Sequence, residues 1–520
     1  MIVGGGPVGL ALAVDLGQRG IDCALVERRR DVGRIPKGQN LSQRSLEHFY
    51  FWGCVDELRA ARLLPRGYPI GGLTAYDNLM GRYWYAPPGR ELVRRYYFQE
   101  NERLPQYLTE AVLRNRVREL RDVTALFGWT AVALEQDDHG VRTTLVRDGD
   151  RARRVLIADY LVGCDGARSP VRTQVGITLR GRDLRRRMVL AVFRSRRLHD
   201  ALKRFPARTT YRVLRPELEG YWEFFGRVDL GEGWFFHAPV PDGAGPASLD
   251  VHRLLERAAG ISFPCALEHV GFWDLRIAVA DRYRRGRVLI AGDACHSHPP
   301  YGGFGLNTGL EDAANLGWKL AAVLRGWGGE SLLDSYEVER RPVALETTEE
   351  IVADIDRDRA FLERYRPDLD RREFERAWST LAARSRNRVE SYEPHYEGSP
   401  VVVGACGPTP GVRGRHSPRA RPGHHLTPQP LSSGRNVYEE LGGDFTLLAF
   451  GAEERAVHPF QTAADALRVP LQVVRDTYQA GRRSYECRLI LIRPDQYVAW
   501  AGDRPPPEPE EVMRTAAGLG

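Results

Sequence analysis

The chain begins Met1-Ile2-Val3-Gly4-Gly5-Gly6-Pro7-Val8-Gly9, and this segment is the most informative part of the sequence. The end of a strand leads into Gly4-x-Gly6-x-x-Gly9, a helical run covers 10–18, and a second strand over 21–26 ends at Glu27. In such a unit Gly4 permits a tight turn, Gly6 lets the backbone approach a pyrophosphate, and Gly9 lets helix and strand pack closely. The start of the helix faces the phosphates, and Glu27 accepts the ribose hydroxyls. The segment therefore predicts a Rossmann-like dinucleotide-binding domain.

The composition excludes several classes of protein. The 520 residues suffice for about three domains. Mean hydropathy is −0.40, and no apolar run approaches the roughly 20 residues that cross a bilayer, so we expect no membrane segment. The 75 Lys and Arg exceed the 68 Asp and Glu, but the arginines are scattered, which disfavours a nucleic-acid partner. The seven cysteines form no paired or metal-like spacing, so we expect no metal site and a reducing, cytoplasmic location.

The remaining chain divides by pattern into a mixed α/β (α+β) architecture. We predict a discontinuous dinucleotide-binding domain over 1–175 and 281–395, with a helical continuation, and an inserted β-sheet domain over 176–280 that binds the substrate. A long segment over 393–435 without periodicity connects to a small α/β domain over 400–520. The inserted domain is rich in aromatic rings, which suits an apolar ligand as well as a sheet core.

Two further motifs bear on the choice of dinucleotide, which the glycine pattern leaves open between NAD(P) and FAD. Strands end at Cys164-Asp165-Gly166-Ala167-Arg168 and at Ala291-Gly292-Asp293-Ala294. Together with the first segment, these motifs resemble the three signatures of the class A flavoprotein monooxygenases, the family of para-hydroxybenzoate and phenol hydroxylases. The resemblance covers about the first 345 residues. The segment over 493–500 resembles the thioredoxin-like domain appended to phenol-hydroxylase-like members, which we expect to be structural or dimer-forming because no CxxC occurs there.

The resemblance implies that FAD is the resident cofactor and indicates where it binds. Asp293 would contact the ribityl chain, Arg44 and Gln106 the diphosphate, and the backbone N–H groups of Leu306 and Asn307 the flavin ring. The full set of expected cofactor-binding residues is Gly4, Gly6, Pro7, Gly9, Glu27, Arg28, Arg44, Gln106, Asp165, Gly166, Gly292, Asp293, Pro300, Gly303, Gly305, Leu306 and Asn307.

The resemblance also implies the reaction. NAD(P)H would bind transiently and reduce the flavin, and O2 would then form a flavin C4a-hydroperoxide that transfers one oxygen atom to a small aromatic, phenolic or polyketide-like substrate. An acid that phenol hydroxylases carry a few residues before the position of Arg44 is missing here, and Gln39 can orient a hydroxyl group but cannot take its proton. We predict catalytic roles for Gln39, His298 and Pro300. The expected substrate-binding residues are Tyr221, Trp222, His237 and Tyr301.

Several alternatives remain open at this stage. A Baeyer–Villiger or epoxidising monooxygenase of the same fold, or a flavoprotein reductase that never activates O2, would carry the same motifs. A flavin-dependent halogenase would need a Trp-x-Trp-x-Ile-Pro segment, which the sequence lacks. A non-catalytic flavin-holding protein would have no reason to keep these contacts. A homodimer is expected from the family alone.

Overall fold

The computed structural model describes residues 1–520, apart from the side chains of Asp183, Leu184, Arg185 and Ser385. Its helices are α1 (Pro7–Gln18), α2 (Gln43–Phe51), α3 (Val55–Ala60), α4 (Gln106–Glu119), α5 (Pro170–Gln174), α6 (Arg196–Ala201), α7 (Val251–Ala259), α8 (Phe304–Leu324), α9 (Ser331–Arg364), α10 (Arg371–Ser391), α11 (Glu454–Leu467) and α12 (Pro509–Ala516).

The strands are β1 (Ile2–Val3), β2 (Cys23–Glu27), β3 (Asn40–Leu41), β4 (Gly72–Tyr76), β5 (Trp84–Tyr85), β6 (Glu102–Arg103), β7 (Val123–Phe127), β8 (Trp129–Gln136), β9 (Val141–Arg147), β10 (Arg153–Ala158), β11 (Leu161–Gly163), β12 (Leu179–Arg194), β13 (Thr210–Leu214), β14 (Glu223–Arg227), β15 (Gly233–Val240), β16 (Ala266–Ala280), β17 (Arg284–Arg285), β18 (Val288–Ile290), β19 (His296–Ser297), β20 (Tyr392–His395), β21 (Gly411–Arg413), β22 (Phe445–Phe450), β23 (Leu471–Asp476), β24 (Leu489–Ile492) and β25 (Val498–Gly502). This content confirms the mixed α/β class.

A six-stranded sheet brings the three sequence motifs to one place. Its order is β17-β18-β11-β1-β2-β7, and β18, β11, β1, β2 and β7 run parallel. The carboxyl ends of neighbouring parallel strands share one edge of the sheet, where α/β proteins bind nucleotides. The turns that follow β1, β11 and β18 contain Gly4, Asp165 and Asp293, so these residues meet at that edge.

Glycines in the first turn are required by close packing. Gly4 has φ +109°, and a Cβ atom there would lie 2.3 Å from the Cys164 carbonyl oxygen. A Cβ atom on Gly9 would lie 1.9 Å from the Gly4 carbonyl oxygen. Both positions therefore exclude a larger residue, and α1 approaches the sheet closely enough to direct its N-terminus over β1.

An eight-stranded sheet, ordered β19-β16-β12-β15-β14-β13-β4-β5, forms the second layer. Successive side chains along its strands point to opposite faces, so the sheet has two separate hydrophobic surfaces. Phe225 and Phe236 belong to a core that includes α7 residues, whereas Phe224, Phe235 and His237 line a cavity on the opposite face. The predicted substrate sheet over 176–280 is thus incomplete: β4, β5 and β19 also join it, because short strands outside that range pair with its two edges.

The last part of the chain forms a four-stranded sheet, ordered β23-β22-β24-β25, whose core includes α11 and α12. Trp318 of α8 and Trp327 belong to the same hydrophobic core. Beside them, Glu339 of α9 contacts Arg493 and Lys319, and all three side chains are fully buried. The C-terminal sheet is therefore fastened to the nucleotide-binding layers by both apolar packing and buried charge.

Candidate active site

One continuous cavity of about 1430 Å³ runs between the two large sheets. At one end it meets the loop 4–8, and at the other it meets the aromatic face of the eight-stranded sheet. Pockets for a single small ligand usually measure about 300–1,000 Å³. The cavity is therefore large enough for a dinucleotide and a second molecule together.

The first end of the cavity has the features of a dinucleotide site. Glu27 accepts hydrogen bonds from the backbone N–H of Gly5 (2.6 Å) and of Arg29 (2.8 Å), which fixes its carboxylate at the end of β2. Open space surrounds the positions where Gly6 and Gly305 would carry a Cβ atom, so a ligand can approach both backbones. Pro7, Glu27 and Arg28 line this end, as the sequence predicts.

Asp165 and Asp293 lie where their strands end at the cavity. One carboxylate oxygen of Asp165 accepts the Val171 N–H at 3.0 Å, while the other is buried and has no hydrogen-bond partner among the side chains that the structure describes. Burial raises the pKa of Asp165 above its ordinary value. The Asp293 side chain is exposed to the cavity but deep inside the protein, and burial raises its pKa as well. Both carboxyl groups favour hydroxyl or N–H donors of a ligand.

Arg44 does not line the cavity. Its guanidinium contacts Glu311 (3.1 Å), the Gln496 side chain (2.9 Å) and the Asp495 carbonyl (2.6 Å), because the first turn of α2 points Arg44 towards the C-terminal sheet. Lys37 lines the cavity instead and is exposed there.

The loop that carries Lys37 is held in place by Gln106, another cavity residue. The Gln106 side-chain oxygen accepts the Gly38 N–H at 3.2 Å, and its amide donates to Glu110 at 2.8 Å. Lys37 is thus one of the cations that line this end of the cavity, together with Arg28 and Arg29, whereas Arg44 is not. Lys37 could not be predicted as a cavity residue, because a lysine in a loop without periodicity gives no signal of its orientation.

Three other expected cofactor contacts lie behind the cavity wall. Gly9 and Gly292 pack within the fold, and the Gly292 N–H donates to Asp312 at 3.0 Å. The Asn307 side-chain oxygen accepts hydrogen bonds from the Ser42 N–H and the Ser45 hydroxyl at 2.7 Å, so this side chain ties α8 to α2. The free N–H groups at the α8 N-terminus belong to 304–306, since the first amides of a helix lack partners within it, whereas the Gly303 N–H donates to the Pro300 carbonyl at 3.4 Å. Gly166, Pro300, Gly303, Gly305 and Leu306 line the cavity.

The second end of the cavity is an aromatic wall. Trp222 and Tyr301 lie against each other with ring centroids 4.4 Å apart, and the Trp222 backbone N–H donates to the Tyr301 hydroxyl at 3.3 Å. His237 stacks on Phe224 at 4.9 Å. Tyr221 does not join this wall: it is buried, and the Arg186 guanidinium lies 5.0 Å from its ring centroid. Tyr221 and Trp222 are adjacent and lie outside helices and strands, so the sequence could not show which of the two faces the cavity.

Three polar side chains of the wall have buried atoms that form no hydrogen bond with any described residue. The Gln39 side chain is 5% exposed, and neither its amide nitrogen nor its oxygen has a hydrogen-bond partner in the described part of the chain. One ring nitrogen, Nδ1, is equally unpaired in His237 and in His298, whereas His298 Nε2 lies 3.2 Å from the Thr348 hydroxyl. Burial lowers the pKa of each histidine to about 3, so both are neutral near pH 7.

This end of the cavity also contains charged residues that the sequence did not predict. The buried Arg103 guanidinium donates to the Asn40 side chain (2.7 Å) and the Arg227 carbonyl (3.1 Å), and its Nε has no partner in the described residues. Helices α9 and α10 add charges at helical spacing. These are Glu350, Asp354 and Asp358 on α9 and Arg384 and Arg388 on α10. Their spacing of four residues is the signal that could have identified one face of each helix.

Comparison with known proteins agrees with this geometry. Residues 1–350 match the family described as FAD binding domain, and residues 419–519 match the aromatic-ring hydroxylase C-terminal domain. The chain belongs to the FAD-dependent aromatic-ring hydroxylases. A 4-methyl-5-nitrocatechol 5-monooxygenase of Burkholderia sp. is 31% identical to the hydroxylase, over 99% of this chain and 96% of that protein.

Two further relatives span nearly the whole hydroxylase. Tetracenomycin A2 monooxygenase-dioxygenase of Streptomyces glaucescens is 29% identical over 99% of this chain and 95% of its own. The structure of the rebeccamycin biosynthetic enzyme RebC with reduced flavin matches with a TM-score of 0.86 at 29% identity, covering 100% of this chain and 98% of that one. The predicted FAD-dependent aromatic monooxygenase is thereby confirmed. None of the described helices is long and apolar enough to span a membrane.

The residues at the first end of the cavity fit FAD. The open backbone at Gly6 and Gly305 leaves room for the dinucleotide, Lys37 supplies a cation, and the unpaired Asp165 oxygen can accept a donor. When bound, FAD would accept two electrons from a reductant and activate O2, which the protein's own side chains cannot do. The protein contributes binding, orientation and exclusion of water.

Proposed function

We propose that this hydroxylase adds one oxygen atom to a phenolic substrate of more than one ring, bound against the aromatic wall, with NAD(P)H as the electron donor. The cavity volume is the observation that carries this proposal, because space for a second, sizeable molecule remains beside the dinucleotide end. Trp222, Phe224 and Phe235 provide flat apolar surfaces for fused or linked rings.

The substrate hydroxyl is activated by positive charge in this proposal. Electrophilic oxygen transfer is easier to a phenolate than to a phenol, whose reference pKa is about 10. His237 and His298 are poor proton acceptors near neutral pH because their pKa values are lowered to about 3. Arg103, with its unpaired Nε, favours the phenolate electrostatically, and Gln39 orients the hydroxyl through its free amide.

The remaining cavity residues have positioning roles. The Pro300 carbonyl and His298 border the substrate beside the start of α8, and Trp222 with Tyr301 closes the opposite side. Neutral imidazoles can donate or accept one hydrogen bond without exchanging a proton with the substrate. In this proposal the phenol gives its proton to water and binds as its anion, so no general base on the protein is needed.

The test is turnover by FAD-loaded protein with NADH and with NADPH across matched one-ring and multi-ring phenols, recording product mass and peroxide. Multi-ring compounds should accelerate NAD(P)H consumption and yield products one oxygen atom heavier. Fragmentation would distinguish ring hydroxylation from an epoxide or a Baeyer–Villiger ester. Preference for one-ring phenols, or peroxide as the sole product throughout, would refute the proposal.

Arg103→Met tests the activation step. The bound phenol should show a raised apparent pKa in its ultraviolet spectrum and at least tenfold weaker binding, because the compensating charge is gone. Tyr221→Phe is the matched control, since Tyr221 is buried outside the cavity. An unchanged phenol spectrum in Arg103→Met would assign activation to another group.

Two properties of the whole protein are also proposals. We place the hydroxylase in the cytoplasm because all seven cysteines are free thiols, which suits a reducing compartment. We expect a homodimer from the family resemblance. Cell fractionation and light scattering of the FAD-loaded protein test these two expectations.

A further inference from the structure

The connection between α10 and the C-terminal sheet brings two histidines and a glutamate together outside the cavity. They are His395, the last residue of β20, Glu397 and His424. One potential ligand atom from each lies within 4.8 Å of the others. His395 is 8% exposed and His424 only 3%, so the group is largely shielded from water.

Backbone hydrogen bonds hold these three residues on paired segments. The Tyr396 N–H donates to the Gly423 carbonyl at 2.6 Å, and the Gly423 N–H donates to the Val498 carbonyl at 2.8 Å. The Val498 N–H donates in turn to the His424 carbonyl at 2.9 Å. These backbone hydrogen bonds therefore hold the three potential ligand side chains in place between the connection and strand β25.

The orientation of His424 exposes a lone pair. Its Nδ1 lies 3.2 Å from a Glu393 carboxylate oxygen, which also accepts from Arg421 at 2.6 Å. With Nδ1 donating to Glu393, the other ring nitrogen carries a lone pair and faces a Glu397 oxygen at 3.0 Å. Two acceptors at this distance repel each other unless a proton or a metal ion lies between them.

His395 distinguishes these two possibilities. Its Nδ1 is buried, has no hydrogen-bond partner in the described residues, and lies 4.0 Å from the second Glu397 oxygen. Protonation of His424 would satisfy the contact with Glu397 but would leave His395 Nδ1 unpaired. A cation bound by all three residues would give each of their lone pairs a partner. Glu393 would then orient the His424 ring, as carboxylates beside metal-binding histidines commonly do.

We propose that His395, Glu397 and His424 bind one divalent transition-metal ion, for which zinc is the best match in ligand type. Two imidazoles and a carboxylate suit Zn²⁺, with a water molecule in the fourth position. The ion crosslinks the connection to the C-terminal sheet, and its role is structural because none of its ligands lines the cavity. Sequence alone gave no signal, since His424 lies far along the chain from His395.

The experiment uses the full, untagged, FAD-loaded chain, stripped with a chelator and titrated with ZnCl2 by calorimetry, with metal content checked after dialysis. Wild-type protein should bind about one Zn²⁺ per chain, and zinc should raise its unfolding temperature. His395→Ala and His424→Ala should each weaken binding at least tenfold. His458→Ala is the matched control, because His458 is exposed on α11.

His395→Ala is the decisive variant, since its Nδ1 forms no hydrogen bond that folding would lose. Retained FAD content shows that each variant is folded. Absence of stoichiometric zinc, or binding that His395→Ala leaves unchanged, would overturn the proposal and leave His424 as a protonated bridge between Glu393 and Glu397. Loss of zinc in His458→Ala would also overturn it by placing the ion elsewhere.

Discussion

The Trp222 indole N–H donates to Asp358 with 2.8 Å between Nε1 and Oδ2, and this bond joins the aromatic wall of the cavity to helix α9. The Arg212 guanidinium lies 4.0 Å from the centroid of the Trp222 ring and 3.5 Å from the same carboxylate. Burial raises the pKa of Asp358, whereas Arg212 opposes that effect. One carboxylate thus determines the position of both a ring and a cation that line the cavity.

Asp358→Ala should weaken substrate binding about tenfold, or about 1.4 kcal/mol, while FAD affinity stays the same. The variant leaves the Trp222 N–H and the Arg212 charge without their shared partner, so the wall loses its fixed geometry. Substrate titration followed by flavin absorbance measures the effect. Asp356→Ala is the control, because Asp356 is an exposed residue of the same helix. Equal effects of the two substitutions would contradict the role of the Trp222–Asp358 bond.

Lys37→Ala should weaken FAD binding about tenfold, because it removes one exposed cation beside the dinucleotide end of the cavity. The difference in FAD affinity between the variant and the wild type should be smaller at high salt, because salt screens exposed charges. Fluorescence titration of stripped protein with FAD measures it.

Arg44→Met should behave differently. The substitution leaves buried Glu311 and Glu47 without their arginine, at a cost of about 3–5 kcal/mol in the free energy of unfolding. Denaturation of the FAD-loaded variant measures this cost. A large loss of FAD affinity at unchanged stability would restore the contact that the sequence predicts for Arg44.

The contrast between Lys37 and Arg44 shows what the sequence could predict. Gly4, Asp165 and Asp293 line the cavity because each follows the end of a parallel strand, and strand order alone brings them to one edge. Arg44 depended on side-chain direction within a helix, which the neighbouring C-terminal sheet determines through long-range contacts. The aromatic wall was predicted as a region, but single residues such as Tyr221 required the tertiary structure.

His237 should make the hydroxylase sensitive to acid. Its pKa is lowered by burial to about 3, against an ordinary value of 6.5, so the unfolded chain binds more protons between these pH values. Stability is therefore complete above about pH 6.5 and falls as the pH decreases, by about 2 kcal/mol at pH 5 from this residue alone. His298 acts in the same direction.

His237→Phe should lose less stability than the wild type between pH 7 and pH 5, as measured by chemical denaturation of the FAD-loaded protein. His458→Ala serves as the control, because His458 is exposed and its removal should leave the pH dependence unchanged. If the unfolding free energy of His237→Phe depended on pH as steeply as that of the wild type, His237 would be protonated equally in the folded and unfolded states.

The contact between the C-terminal sheet and α9 depends on charge balance in a fully buried group. Glu339 contacts Arg493 at 2.5 Å and Lys319 at 2.6 Å. Glu339→Gln leaves two buried cations without their shared anion and should cost about 3–5 kcal/mol of unfolding free energy. The exposed pair between Glu454 and Arg475 offers a control, for which Glu454→Gln should change stability by less than about 1 kcal/mol.

Substitution of Lys319 tests whether charge balance or packing stabilises this buried group. Burial lowers its pKa to about 8, so the unfolded chain holds more protons between about pH 8 and 10.5 and stability should rise with pH across that range. Lys319→Met in the Glu339→Gln background removes one uncompensated cation and should recover part of the lost stability, whereas Lys319→Met alone should not stabilise. Additive losses in the double variant would show that packing of the α9 contact, and not its charge balance, holds the C-terminal sheet in place.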